Sequence, residues 1–170
     1  MLRKMLLAAA AFGFAASAAA ADFAGPYVGA GLTHDNVGGS GDLDGVGANG
    51  TGGSLFAGYN LPVKGGFVGV EGNVDLNTAD ASDIETKWGY GVGVRAGLNL
   101  SSETVAYARA GYQRSKADVV DQRGWGDGVR LGVGLEAALS ETASLRVEYN
   151  HVDYVDVLNH QAVFGVVFGF

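Results

Sequence analysis

Residues 87–100 read KWGYGVGVRAGLNL, and their alternation decides the fold. Taken at every second position, Trp88, Tyr90, Val92, Val94, Ala96, Leu98 and Leu100 share one face. Lys87, Gly89, Gly91, Gly93, Arg95, Gly97 and Asn99 share the other. A period of two is the signature of a β-strand. Residues 128–139, GVRLGVGLEAAL, repeat the division, with Val129, Leu131, Val133, Leu135, Ala137 and Leu139 set against Gly128, Arg130, Gly132, Gly134, Glu136 and Ala138. Residues 68–76 set Val68, Val70, Val74 and Leu76 against Gly69, Glu71, Asn73 and Asp75. One face is therefore apolar, and the other combines glycine with charge.

A soluble barrel would turn its apolar face inward, yet no segment with helical periodicity is available to cover an apolar exterior in any other way. With the faces the other way round in a membrane, Arg95, Arg109, Arg130 and Arg146 would meet lipid at about 2–4 kcal/mol each near the midplane. That sum rivals the roughly 5–15 kcal/mol that holds a whole domain together. The charges must point into a narrow interior, and the glycines among them leave room for long side chains.

The period of two recurs in eight segments, at approximately 26–33, 51–61, 66–76, 87–100, 103–115, 125–139, 143–154 and 160–170. Strands of about ten residues in even number match a transmembrane barrel. Short turns are expected around Pro62–Gly66, Ser101-Ser102 and Ser140-Glu141. Longer loops are expected at 34–50, 77–86, 116–124 and 155–159, on the opposite, outer side. Trp88, Tyr90, Tyr112 and Trp125 cluster at the loop ends of outward faces, and Tyr59, Phe168 and Phe170 at the turn ends, as interfacial girdles do. Phe56 falls on the inward face, against the pattern, as filling for the interior. The predicted fold is an all-β, eight-stranded, antiparallel up-and-down transmembrane barrel.

The first 21 residues have Arg3 and Lys4, an apolar run, and small residues before Asp22, which is the pattern of a secretory signal peptide cleaved after Ala21. The expected organisation is a leader at 1–21 and a single barrel domain at 22–170. Without Arg3 and Lys4 the 11 basic residues become nine against 18 acidic ones, a net charge of −9, which argues against nucleic acid as a partner. The chain has no cysteine, which removes disulfide staples, thiol nucleophiles and Cys-ligated metals.

The stretches GPYVGAGL at 25–32, FAGYNL at 56–61, VRLGVGLEAALSETASLRVEYNHVDY at 129–154 and AVFGVVFGF at 162–170 resemble the small outer-membrane β-barrels of the OmpA/OmpX type, and within them the porin-like outer-membrane proteins of alphaproteobacteria. The resemblance implies a protein of the Gram-negative outer membrane, in contact with lipid and lipopolysaccharide. It also implies that the last strand, with Phe164, Val166, Phe168 and a terminal Phe170, is read by the outer-membrane assembly machinery. The implied role is structural and non-catalytic, in envelope integrity. A narrow porin-like channel for small solutes and a surface adhesin acting through acidic loops are the alternatives. Oligomeric state is not legible in the sequence.

Barrel enzymes of this membrane place a histidine with an acid or a serine near the outer rim. Ser115, His151 and Asp153 are the combination that could be so arranged, with His34 beside Asp35 and His160 at the start of the last segment. The surroundings lack the His-x-Ser pattern of the deacylases, so no catalytic residue is assigned. Asp42, Asp44, Asp80, Asp83 and Asp156 make the loops acidic, but GDLDG at 41–45 lacks the spacing and closing Glu of a calcium loop. No metal or cofactor is expected. Inside the barrel, position relative to the turns groups Arg95, Arg109 and Arg146 with Glu71, Glu136 and Glu148 in a lower layer, and Lys87 and Arg130 with Asp75 in an upper one. A turn centred on Glu141 sets Glu136 opposite Arg146.

Overall fold

A sheet that is apolar on one face and charged on the other satisfies both faces at once by closing on itself, which also leaves no unpaired edge. The structure, a computed structural model, describes residues 23–39, 47–81, 84–119, 122–154 and 157–170. The leader at 1–21 lies outside the described residues. Eight strands follow one another: β1 (Gly25–Gly39), β2 (Gly47–Val63), β3 (Gly66–Ala81), β4 (Ile84–Asn99), β5 (Thr104–Val119), β6 (Gln122–Ala138), β7 (Ala143–Tyr154) and β8 (Val157–Gly169). Each pairs antiparallel with the next, and β1 pairs with β8 to close the barrel. All eight predicted segments are strands.

The turns are tight for local reasons. Between β2 and β3, Val63 pairs directly with Gly66, and Gly65 takes a φ of 81°, which a side chain at that position would strain. Between β4 and β5, the Thr104 carbonyl accepts from Leu100 N at 2.9 Å and the Ser101 hydroxyl accepts from Glu103 N at 3.1 Å. Between β6 and β7, the Ser140 hydroxyl accepts from Ala143 N at 3.1 Å.

The outer connections differ from the expected long loops. β1 and β2 run paired as far as Gly38 and Gly47, β3 and β4 as far as Ala81 and Ile84, and β5 and β6 as far as Val119 and Gln122. Past the girdle both faces of a hairpin meet water, so nothing imposes hydrophobic alternation, while the backbone ladder continues to pair. A bulge between Leu76 and Ala79 interrupts this extension on β3.

The faces are as predicted. Val92, Val94, Leu98, Leu131, Val133, Leu135 and Phe164 are exposed on the outer surface. Arg95, Arg109, Arg130, Arg146, Glu71, Glu136 and Glu148 are buried inside. Trp88, Tyr90 and Trp125 touch one another at the loop end, with the two indoles edge to face at 5.1 Å.

Candidate functional site in the barrel lumen

The lumen is filled, and glycine makes the filling possible. At the turn end four aromatic side chains point inward, each directly across from a glycine on the neighbouring strand: Tyr27 from Gly58, Phe56 from Gly29, Phe67 from Gly97 and Tyr107 from Gly134; at the loop end Tyr154 likewise faces Gly128. At each of these glycines a Cβ would run into the facing ring. The rings therefore lie flat on bare backbone and occupy the space of two side chains. Phe56, which broke the aromatic pattern of the sequence, is one of the four.

These rings bracket a core of charge at the turn end. Glu71 on β3 is its hub: Oε2 accepts from Tyr27 Oη at 2.7 Å, Arg146 Nη1 at 2.6 Å and Arg95 Nη1 at 3.2 Å. Arg109 Nη1 sits 2.9 Å from Glu71 Oε1 as an ion pair, without the alignment of a hydrogen bond. Glu136 takes Arg95 Nη2 at 2.5 Å and Arg146 Nε at 3.0 Å. Glu148 takes the Tyr107 hydroxyl at 2.5 Å and faces Arg109 at 3.5 Å. The lower layer of three arginines and three glutamates is thus one connected network. Glu136 is paired with Arg146 in the β6–β7 ladder, as the turn count required. The guanidiniums also lie over the rings: Arg95 is 4.0 Å from the Tyr107 centroid and 4.8 Å from that of Phe67, and Arg146 is 4.0 Å from that of Phe56. Phe23, just ahead of β1, packs against Phe67, Val105 and Tyr107 at the same end, and its carbonyl accepts from Asn60 Nδ2 at 2.7 Å.

Towards the loop end the filling changes to amides and hydroxyls. Asp75 pairs with Arg130 at 2.6 Å and accepts from Ser54 Oγ at 2.6 Å, Asn73 Nδ2 at 2.9 Å and Gln113 Nε2 at 3.1 Å. The upper pair of the sequence reading is thereby in place; the side chain of Lys87, its third member, lies outside the described residues. Asp35 accepts from Asn159 Nδ2 at 2.8 Å and Gln161 Nε2 at 3.0 Å. Ser115 and Tyr154 share a hydrogen bond of 2.7 Å.

The candidate catalytic combination does not assemble. Ser115 joins Tyr154 on the inner side of the sheet. His151 and Asp153 alternate with the buried Glu148, Asn150 and Val152 and so face outward. The barrel wall separates them. His151 is instead opposite His160, whose Nδ1 lies 2.6 Å from the Tyr149 hydroxyl. The side chains of Asp42, Asp44, Asp80, Asp83 and Asp156 lie outside the described residues. Among those described, no group of three or more His, Cys, Asp or Glu is gathered as a metal site.

The alternation of the sequence already contained the inward carboxylates and guanidiniums. It passed over Tyr27, Phe67 and Tyr107, although Phe67 has the parity of Glu71 and Tyr107 that of Arg109. The glycine opposite each ring is the signal that would have found them.

An eight-stranded closed barrel, apolar outside, girdled by aromatics and filled with paired charge, is a transmembrane β-barrel of the outer-membrane kind. The chain belongs to the outer membrane protein beta-barrel domain family, which its sequence matches over residues 5–170. It is a protein of the outer membrane. Among solved structures it is similar to the Neisserial surface protein A, at 21% identity and a TM-score of 0.62, with 86% of this chain and 98% of that one covered. It is also similar to Ail, the attachment invasion locus protein of Yersinia pestis, at 16% identity and a TM-score of 0.58, covering 85% and 98%. OprG from Pseudomonas aeruginosa follows at 12% identity and a TM-score of 0.56, covering 86% and 97%. Among curated proteins none matches the sequence significantly.

Proposed function

We propose that this barrel is a non-catalytic structural component of the outer membrane, contributing to envelope integrity with a lumen closed to solutes. The carrying observation is the network at the turn end, where Glu71, Glu136 and Glu148 bind Arg95, Arg109 and Arg146 across the full width of the barrel between four aromatic rings. Passage would require breaking buried ion pairs whose separate partners cost several kcal/mol each to leave uncompensated. The test is the current through planar bilayers holding the refolded protein. A closed lumen gives no steady conductance; small steady steps would favour a narrow channel, and a conductance like that of a large general porin would overturn the plug. Absence of catalysis is supported by the position of Ser115 on the opposite side of the wall from His151 and Asp153.

The outward apolar surface suits lipid, and the outer girdle suits contact with lipopolysaccharide. Phe170, 77% exposed, extends the outward row of Phe164 and Phe168 beyond the end of β8 and is suited to recognition by the assembly machinery. Deleting it should lower the amount of inserted barrel in cells sharply. Refolding in detergent should stay near normal, because one such side chain contributes at most about 3 kcal/mol of burial. Unchanged insertion in cells would reduce Phe170 to a packing residue.

A second reading, surface attachment, draws on the paired hairpins that continue past Trp88 and Trp125 to Ala81, Ile84, Val119 and Gln122. Their ladders would present loops at a fixed height above the membrane. Adhesion of cells carrying the barrel, compared with cells in which these hairpins are trimmed to the girdle, tests it.

A further inference from the structure

On the outer surface, the β7–β8 ladder runs from apolar to polar within a few residues. Leu145 stands opposite Val166 and Val147 opposite Phe164, then Tyr149 opposite Ala162, and above them His151 opposite His160. The two imidazole rings are 4.9 Å apart between centroids, with their planes at 49°. Both are partly exposed, and Asp153, two residues further along the same face, is exposed. The pair therefore sits just past the apolar band, where water and ions reach it.

We propose that His151 and His160 form a two-imidazole chelate for a divalent transition-metal ion of the Zn²⁺, Cu²⁺ or Ni²⁺ class. Imidazole is a preferred ligand for these ions. Two nitrogens bound to one tetrahedral zinc at about 2.0–2.1 Å stand about 3.3 Å from each other. A centroid separation of 4.9 Å is within reach of that geometry, with His151 turning about its side-chain bonds while Tyr149 holds His160. Directly opposed strand positions hold both Cβ atoms at nearly the right separation before any metal arrives, so little ordering remains to be done on binding.

Tyr149 completes the arrangement from outside the coordination sphere. Its hydroxyl is 2.6 Å from His160 Nδ1, and the two rings are stacked at 26°. With Nδ1 engaged by the phenol, Nε2 is the nitrogen left for metal, and the ring orientation is fixed, which is how ligating histidines are commonly held. Three-residue clusters of metal-binding side chains are absent here among the described residues, so water supplies the remaining ligands.

The site is independent of whether the lumen conducts, and it is tested on the untagged mature protein refolded in detergent micelles. Calorimetric titration with Zn²⁺ should give saturable binding of one ion per barrel. The paramagnetic resonance spectrum with one equivalent of Cu²⁺ should show two equatorial nitrogens. His151→Asn and His160→Asn each remove a ligand and should weaken Zn²⁺ binding by about tenfold or more, no less than the loss of an orienting partner does. Each should also leave one nitrogen in the Cu²⁺ spectrum. Both residues face outward, so the variants should fold, and closure is checked by the different gel mobility of boiled and unboiled protein. His34→Asn, on β1, should leave both readouts unchanged. No saturable Zn²⁺ binding by the unaltered protein, binding unaffected by His160→Asn, or an equal loss with His34→Asn would each overturn the assignment.

Discussion

The two halves of the lumen are filled by different chemistry. At the turn end, three arginines, three glutamates and four aromatic rings form one network, and single atoms serve several partners: Glu71 Oε2 alone accepts from Tyr27, Arg95 and Arg146. At the loop end, Arg130 and Asp75 make one ion pair, Asp35 is held by Asn159 and Gln161, Ser115 bonds Tyr154, and Ser54, Asn73 and Gln113 surround Asp75. Amides can donate and accept, so a lost partner is replaced by rotating a neighbour. A guanidinium can only donate, and a carboxylate can only accept. The turn end is therefore the brittle half and the loop end the tolerant one, although both are buried to the same degree.

The sharpest way to break this comparison is to neutralise the central carboxylate of each half without changing its shape. Glu71→Gln leaves three arginines short of a counter-charge and should destabilise the barrel by about 3–5 kcal/mol in urea unfolding from micelles. Asp75→Asn leaves one arginine, which retains Gln161 Oε1 at 3.3 Å, and should cost about 1–3 kcal/mol. Equal losses would mean that the two halves do not differ in the way described. Next in size is the coupling within the turn end. Glu136→Ala and Arg146→Ala remove the two members of a ladder pair, and the double variant should lose less than the two single losses together, by about 0.5–3 kcal/mol. Strictly additive losses would refute a shared network. The last comparison sets two glycines against each other. Gly97→Ala drives a methyl into the Phe67 ring and should cost about 1–3 kcal/mol. Gly132→Ala first meets the amide end of Asn150, which can turn aside, and should cost well under about 1 kcal/mol. A reversed order would show that rings are the more yielding filler.

What was legible in the sequence follows the same physical division. Where one face met lipid and the other a charged interior, as from Trp88 to Leu98, strict alternation gave strand, orientation and even the Glu136–Arg146 pairing. Where both faces met water, as from Asn36 to Gly38 and from Gly47 to Asn49, the chain kept its ladder, with Asn36 donating to Asn49 at 2.6 Å, but carried no alternation to show it. Those stretches read as loops. Parity alone separates the catalytic combination: on β5 Arg109 and Ser115 share the inner face, whereas on β7 the inner face belongs to the even positions and His151 and Asp153 to the outer one. The pairing of each inner ring with its facing glycine needed register between strands, which the alternation within one strand does not carry.

The pairing of each inner ring with a facing glycine has a consequence for how such a chain can drift over generations. Phe67 and Gly97 are 30 positions apart, yet they behave as one inherited unit. A larger residue at 97 is crowded while the ring remains, and a smaller residue at 67 leaves a gap between charged neighbours while the glycine remains. The two intermediates are both worse than either end point, so the exchange of a ring from one strand to the next has to happen nearly in a single step. Homologous barrels should accordingly differ in which strand carries the ring and which the glycine, while seldom carrying two rings or two glycines at such a pair.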